Sequence, residues 1–248
     1  MAKPDRVIFP DPEAMSLEAA KRFVQTASEA ITERDRFLAV LSGGRTSRRT
    51  YELLASTPFR DEINWSKVHL FVSDERFVPM ESSESNFGLI QRLLLSKISI
   101  PKTNLHPFCV EANTLEEAAR ETAEAFWLFF GKTRRTFPRF DLVFLGMGAD
   151  GHVAGIFPGT EAFRERGKWV VFSKNAGGFN RLSLTLPFLN AARKIIVLVA
   201  GEEKAERTAH VLEGNATDLP AGALQAHDGQ LSWFLDQAAA SLLEKERR

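Results

Sequence analysis

The sequence predicts one α/β domain spanning 1–248, Rossmann-like, with a mostly parallel twisted sheet and helices on both faces. Three observations predict it. Short, almost continuously apolar runs suit strands buried on both sides. Longer amphipathic stretches alternate with those runs, as crossover connections require. Glycine, polar and charged residues gather just after the apolar runs, where open parallel sheets bind their ligands.

The strand candidates are 37–41, 68–72, 142–145, 169–172, 182–184 and 195–199. The helix candidates lie between them. Helix 17–33 follows Ser16, a residue type suited to an N-cap. Helix 115–130 follows Thr114, and Thr114-Leu115-Glu116-Glu117 has the form of a capping box. Helices 47–55, 86–95 and 203–213 occupy the middle, and 236–245 closes the chain. Pro138 and Pro158-Gly159 mark loops inside one domain, with no repeat or long polar linker to divide it.

Composition excludes several classes. With 44% hydrophobic and 26% charged residues, the chain is neither disordered, collagen-like nor a coiled coil. Thirty-two basic residues balance thirty-two acidic ones, which argues against a globally basic nucleic-acid binder. One Tyr in the whole chain argues against a base-stacking surface. The single cysteine, Cys109, forbids an intrachain disulfide or a multi-cysteine metal site and fits a reducing compartment. Met1-Ala2-Lys3-Pro4-Asp5 contains no apolar signal core, and no apolar run approaches the roughly 20 residues that span a bilayer. The expectation is a cytoplasmic protein without membrane or nucleic-acid partners, monomeric or weakly dimeric.

The chemistry is read from the residues just beyond each strand. Ser42-Gly43-Gly44-Arg45-Thr46-Ser47 joins a strand to a helix. Its glycines let backbone approach a ligand, and N–H groups at a helix start favour an anion. Arg45 and Thr46 add side-chain donors. This is no Walker A loop, since the Gly-Lys-Ser/Thr ending is missing. Asp74-Glu75-Arg76 comes after the next strand; taken alone, such a triplet reads first as a solvated surface cluster. Gly146-Met147-Gly148-Ala149-Asp150-Gly151 matches a dinucleotide fingerprint in form only. Two glycines and Pro158 stand where a helix must open, and Ser173-Lys174 stand where an acid is wanted.

The rest of that turn is Asp150-Gly151-His152. Histidine is the side chain best matched to proton transfer near neutral pH, and a neighbouring carboxylate fixes its tautomer. His69, within an apolar strand, and His106, beside Pro107, read as core residues. His210 and His227 have no evident partners nearby in sequence. Lys204 opens a helix, against the dipole, a mismatch that an anionic ligand offsets. Arg181 and Arg193 flank 182–190 as further cations. No Gly-x-Ser-x-Gly elbow, His-x-x-x-His pair or other metal set is apparent. The aromatic stretch 126–130 reads as core or subunit contact.

Together these segments resemble the 6-phosphogluconolactonase family. The stretches that carry the resemblance are Leu41-Ser42-Gly43-Gly44-Arg45-Thr46, the run from Val68 through Ser73-Asp74-Glu75-Arg76 to Pro79, and Ser85-Asn86-Phe87-Gly88. The most specific runs from Phe140 to Gly146-Met147-Gly148-Ala149-Asp150-Gly151-His152. Arg181 to Ala192, Gly201-Glu202-Glu203-Lys204-Ala205, Leu219-Pro220-Ala221 and Leu231 to Asp236 come after it in the family's order, over nearly the whole chain.

The resemblance implies the fold of sugar-phosphate isomerases and ring opening of 6-phosphoglucono-δ-lactone by water, with no metal or organic cofactor. It makes His152 the general base. It makes Asp74 and Arg76 the residues that position His152 and stabilise developing negative charge. Gly43, Gly44, Thr46, Arg181 and Lys204 become the phosphate grip, with Arg45 and Asp150 also at the substrate. The sequence departs from the family at Arg45 and Ser47, where Ser and Pro are common, and at Val153 and Gly155, where Thr and Ser are common. Two rival readings stand beside it. A glucosamine-6-phosphate deaminase or isomerase shares the Asp-Gly-His turn but has a glutamate in the Phe-Asn-Glu-Pro stretch after it, where this chain has Gly155-Ile156-Phe157-Pro158. A non-catalytic sugar-phosphate sensor would keep the grip without the chemistry.

Overall fold

Each short apolar run becomes a strand with almost no exposed residue, and the sheet they form organises everything else. The computed structural model describes residues 5–131, 137–214 and 216–244. The first four residues and the last of the expected 236–245 helix lie outside that range. In chain order the elements are β1 (Asp5–Phe9), α1 (Pro12–Arg34), β2 (Phe37–Leu41), α2 (Arg48–Leu54), α3 (Phe59–Glu62), β3 (Val68–Val72), β4 (Asp74–Arg76), α4 (Asn86–Leu93), β5 (Leu105–His106), α5 (Leu115–Phe130), β6 (Leu142–Gly146), α6 (Glu161–Arg164), β7 (Val170–Ala176), β8 (Phe179–Leu184), α7 (Leu186–Asn190), β9 (Lys194–Val199), α8 (Ala205–Glu213) and β10 (Gln230–Asp236). Among the described residues no helix is long and apolar enough to cross a membrane.

Seven strands form one sheet in the order β1-β10-β9-β6-β2-β3-β5, every pair parallel. The chain lays β3 and β5 on one side of β2, then returns to place β6 on the other. The order therefore reverses between β2 and β6, the kind of point where such sheets open a crevice beyond their carboxyl ends. All five residues of β2 are buried, as expected of a strand covered on both faces. Alternation along the strands sends Phe37 and Phe144 to one face, where Phe23 of α1 meets them at ring separations of 5.0 and 6.1 Å. Phe71 points to the opposite face, against Phe126, Phe129 and Phe130 of α5. The aromatic stretch 126–130 is thus mostly core, with only Leu128 strongly exposed.

The structure corrects the sequence reading in four places. First, 169–172 and 182–184 are not in the parallel sheet. They belong to β7 and β8, which with β4 make a separate antiparallel sheet in the order β4-β8-β7. Second, α1 starts five residues before the expected helix start at Leu17. Asp11 is its N-cap, accepting from Ala14 N at 2.8 Å, and Pro12 occupies a first-turn position that needs no N–H. Ser16 lies inside the helix, its hydroxyl turned back to Pro12 O. Third, the described part of 236–245, residues 236–244, is no helix. Asp236 ends β10, and its carboxylate accepts from Gly201 N and Ala239 N. Fourth, α8 begins at Ala205 after a 3-10 turn, Glu202–Lys204, so Lys204 is a cap residue rather than part of the helix.

Thr114 does cap α5, accepting from Glu117 N, but Glu117 reaches back to Asn113 N rather than to the cap itself. His69 and His106, read as core residues, face each other across β3 and β5 with 3.2 Å between Nδ1 and Nε2. Burial lowers the basicity of both, aided by Arg36 at His69 and by His69 at His106, which falls to about 4. The unfolded chain therefore binds more protons than the native one between the ordinary histidine value, about 6.5, and about 4. Stability should fall as pH drops through that window. Urea midpoints measured at pH 7 and pH 5 should separate in the native chain and separate less in His106→Phe, which removes the more strongly shifted imidazole and leaves His69; equal separation in both would reject this account.

Candidate active site

Loops leaving β2, β3, β6 and β9 meet over the carboxyl end of the sheet and enclose a cavity of about 800 Å³. Ser42 to Ser47, Asp74, Arg76, His152, Arg181 and Lys204 all line it. The structure thus brings His152 and the glycine loop to one cavity, together with every cation singled out near them except Arg193. Arg193 lies against Asp141 near the start of β6, at 3.4 Å. Asp150 enters through its bond to His152.

The glycine loop is anchored from below. Tyr51 donates its hydroxyl to Ser42 O at 2.6 Å, and Ser47 shares its hydroxyl between Ser42 O and Gly43 O. Tyr51 is fully buried, and burial pushes its phenol well above the ordinary value, so it stays a neutral donor. The Ser47 side chain makes no capping bond at the start of α2; it braces the loop instead. Arg45 is largely exposed and faces Glu203 at 3.5 Å across the mouth of the cavity. The Lys204 ammonium forms no hydrogen bond or ion pair among the described residues.

His152 donates or accepts at Nδ1 with Asp150 Oδ1, 2.6 Å away, and its side chain is partly exposed to the cavity. The hydrogen bond from His152 outweighs burial and holds the Asp150 carboxyl down at about 2. Asp150 is therefore ionised near neutral pH and fixes Nδ1 as the protonated nitrogen, leaving Nε2 with a lone pair. The imidazole also stacks on Phe157, with ring centroids 4.2 Å apart. Phe157 stands where the rival deaminase reading needed a glutamate.

The carboxylate beside His152 is Asp150, not Asp74. Both oxygens of Asp74 are engaged elsewhere, one by Ser73 Oγ at 2.9 Å and one by Arg181 Nη1 at 3.2 Å. Arg181 is 8% exposed and also donates to Ala176 O, so it is a built-in guanidinium rather than a surface one. Residues 76 and 181 sit directly opposite each other on β4 and β8. Like charges so placed destabilise a strand pair unless something offsets them. Asp74 offsets Arg181. Arg76 donates to Glu84 O and to Asn86 Oδ1 and lies over the Phe179 ring.

Two residues escaped the sequence reading as functional candidates. Glu75 looked like part of a surface triplet, yet it is 2% exposed. Its carboxylate accepts from Arg76 N, Ser85 Oγ, Asn86 N and Phe87 N, which closes the start of α4. Burial still raises its carboxyl above the ordinary range. Asn86 comes next after the Ser85 cap, lines the cavity and is 4% exposed. Its signal was the Ser85-Asn86-Phe87-Gly88 stretch, which carried the resemblance without assigning Asn86 a role.

Comparison with known proteins agrees with this geometry. A family model described as glucosamine-6-phosphate isomerases/6-phosphogluconolactonase matches residues 10–233. The chain is 36% identical to probable 6-phosphogluconolactonase 2 of Arabidopsis thaliana over 98% of its own length and 97% of that protein. It is 36% identical to 6-phosphogluconolactonase of Rattus norvegicus, covering 95% and 92%. The crystal structure of 6-phosphogluconolactonase from Thermotoga maritima superposes with a TM-score of 0.81 at 30% identity, covering 94% of this chain and all of that one.

Glu75 gives a direct test of how the site is held. In Glu75→Gln an amide replaces one acceptor oxygen. Ser85 Oγ can turn to accept, but either Phe87 N or a neighbouring N–H is left unpaired. One orphaned buried donor costs about 1–3 kcal/mol. Chemical denaturation should show a loss of that size; an unchanged midpoint would mean the carboxylate cage contributes nothing.

Proposed function

The chain belongs to the glucosamine-6-phosphate isomerase/6-phosphogluconolactonase family, and within it we propose that it hydrolyses 6-phospho-D-glucono-1,5-lactone to 6-phosphogluconate with His152 as general base. The observation that carries this reading is one cavity lined by His152, with the ionised Asp150 carboxylate on its Nδ1, together with a glycine loop and a Lys204 ammonium that is unpaired among the described residues. An imidazole that can take a proton and a seat for an anionic tail are the two things a phosphorylated lactone needs.

The chemistry comes from the groups present. Asp150 holds the proton on Nδ1, so Nε2 removes one from water as the oxygen attacks the lactone carbonyl. The C=O bond opens to a tetrahedral oxyanion. That anion collapses, the bond to the ring oxygen breaks, and the proton held on Nε2 passes to the departing alkoxide. The guanidinium of Arg76 supplies positive charge for the oxyanion. Arg181, locked on Asp74, and Lys204 serve the phosphate with the amides of the glycine loop. We place Asp74 as the support of Arg181, in contrast to the role the resemblance implied for it. The cytoplasm is the proposed compartment, on the single-cysteine composition.

The deaminase reading is less well supported. Its catalytic acid has no counterpart in Gly155-Ile156-Phe157-Pro158, and Phe157 instead packs on the imidazole. A sensor would have no use for an ionised carboxylate on a cavity histidine.

His152→Ala should lower kcat about 10²–10⁴-fold with little change in KM. The assay uses freshly made lactone, corrected for spontaneous hydrolysis, with glucosamine 6-phosphate alongside. Near-native turnover removes His152 from the mechanism, and turnover of the amino sugar alone rejects the lactonase reading. Lys204→Ala should raise KM for the phosphorylated lactone and leave the unphosphorylated one little changed. It is a cleaner probe than Arg181→Ala, which also strands the buried Asp74 carboxylate.

A further inference from the structure

We propose that Asn86 is a positioning residue that ties the glycine loop to Arg76 and so fixes the phosphate end of the site relative to the end where charge develops. The inference rests on the lactonase reading above and adds a residue that reading does not use. Asn86 is buried at the wall of the cavity and is the first residue of α4. Its backbone N–H is held by Glu75 Oε1 at 2.8 Å, so the side chain starts from a fixed point.

From there the amide does three things. Its Nδ2 donates to Asp74 O at 2.9 Å, and its Oδ1 accepts from Arg76 Nη1 at 3.2 Å. These partners permit only one orientation of the amide, since a carbonyl only accepts and a guanidinium only donates. The same amide also presses on the glycine loop. A Cβ built on Gly43 would lie 1.9 Å from Asn86 Oδ1 and 2.2 Å from its Cγ. Gly43 is thus glycine because Asn86 occupies that space, and the loop can come no nearer.

The chemistry at position 86 is narrow. Aspartate would set an oxygen against the Asp74 carbonyl. Leucine would leave both partners without a bond. Glutamine is one methylene longer and has no room beside Gly43. An amide of this length is the side chain that can bond β4, hold Arg76 and abut the loop together. Asn86 touches no reacting atom in this scheme; it acts through Arg76 and the loop.

The test is a double-mutant cycle on the full chain, using kcat/KM for 6-phosphogluconolactone and for unphosphorylated gluconolactone. Loss of folded enzyme cancels in the ratio of the two, so a merely structural defect leaves that ratio alone. Asn86→Ala should shrink the preference for the phosphorylated lactone about 10- to 100-fold, the scale of losing a hydrogen bond to a charged group. Gly43→Ala should be at least as damaging. The double variant should return to the level of Asn86→Ala alone, because the clash is gone. An unchanged ratio in Asn86→Ala overturns the assignment. So does a double variant that is as impaired as the product of the singles, or that is misfolded when Asn86→Ala is not. A native chain with no preference for the phosphorylated lactone would instead sink the lactonase reading itself.

Discussion

Ser73 makes one backbone hydrogen bond in each of the two sheets. Its N–H donates to Leu41 O at 2.8 Å, in line with the parallel ladder, and its carbonyl accepts from Leu184 N at 2.9 Å, on the antiparallel side. The chain is handed from one sheet to the other at this residue. Asp74, Glu75 and Arg76 therefore rise over the carboxyl ends of β2 and β6 rather than continuing past them. Because β8 pairs with these residues, Arg181 arrives opposite Arg76 and within reach of Asp74, although 107 residues separate it from that carboxylate. Without the handover neither guanidinium would be held against the glycine loop and Asp150–His152.

Charge at the site is arranged by competition between burial and partners. Burial pushes each carboxyl up, and its partners pull it down. At Asp150 a hydrogen bond from His152 wins, and the acid is held ionised at about 2. At Glu75 burial wins on balance in spite of three backbone donors and a hydroxyl. The difference lies in depth and partners: Glu75 is far more deeply buried than Asp150, and Asp150 faces an imidazole that can carry charge whereas Glu75 is met by neutral donors. Glu75 is accordingly suited to holding backbone, and Asp150 to sharing a proton.

How much of this was legible in the sequence depended on distance along the chain. The apolar runs that became β2, β3, β6 and β9 announced themselves, because strands buried on both faces have nothing polar to confuse the pattern. β1 did not, since an edge strand with an exposed or half-buried face carries little apolar signal. β10 was obscured by the alanine-rich, charged stretch after it, which reads as helix until Asp236 is seen bonding Gly201. Asp150 and His152 lie two residues apart, and their pairing could be read directly. The Asp74–Arg181 pair could not, and three of the four donors around Glu75 come from the start of α4, reached by a turn whose path no local pattern specifies. A charged triplet after a strand looks like surface until the fold closes over it.

The departures from the family pattern bear on the same point. Val153 and Gly155 lack the hydroxyls that the family resemblance leads one to expect after the Asp150-Gly151-His152 turn, which raises the question of what holds that turn. Here the backbone of Gly155 is bonded from the neighbouring sheet: its N–H donates to Ser183 Oγ at 3.1 Å, and its carbonyl accepts from Ser173 Oγ at 3.3 Å. Val153 is fully buried and bridges to Ile156, closing the turn on itself. A side chain at 155 would press on Ser183 and Asp74, whose Cβ atoms lie 3.0 and 3.3 Å from the place its own would take. The missing hydroxyls thus leave no gap in the hydrogen bonding of the turn. The antiparallel sheet that presents Asp74 and Arg181 also bonds the loop that follows His152, so Asp150–His152 and the Arg181 guanidinium share one support.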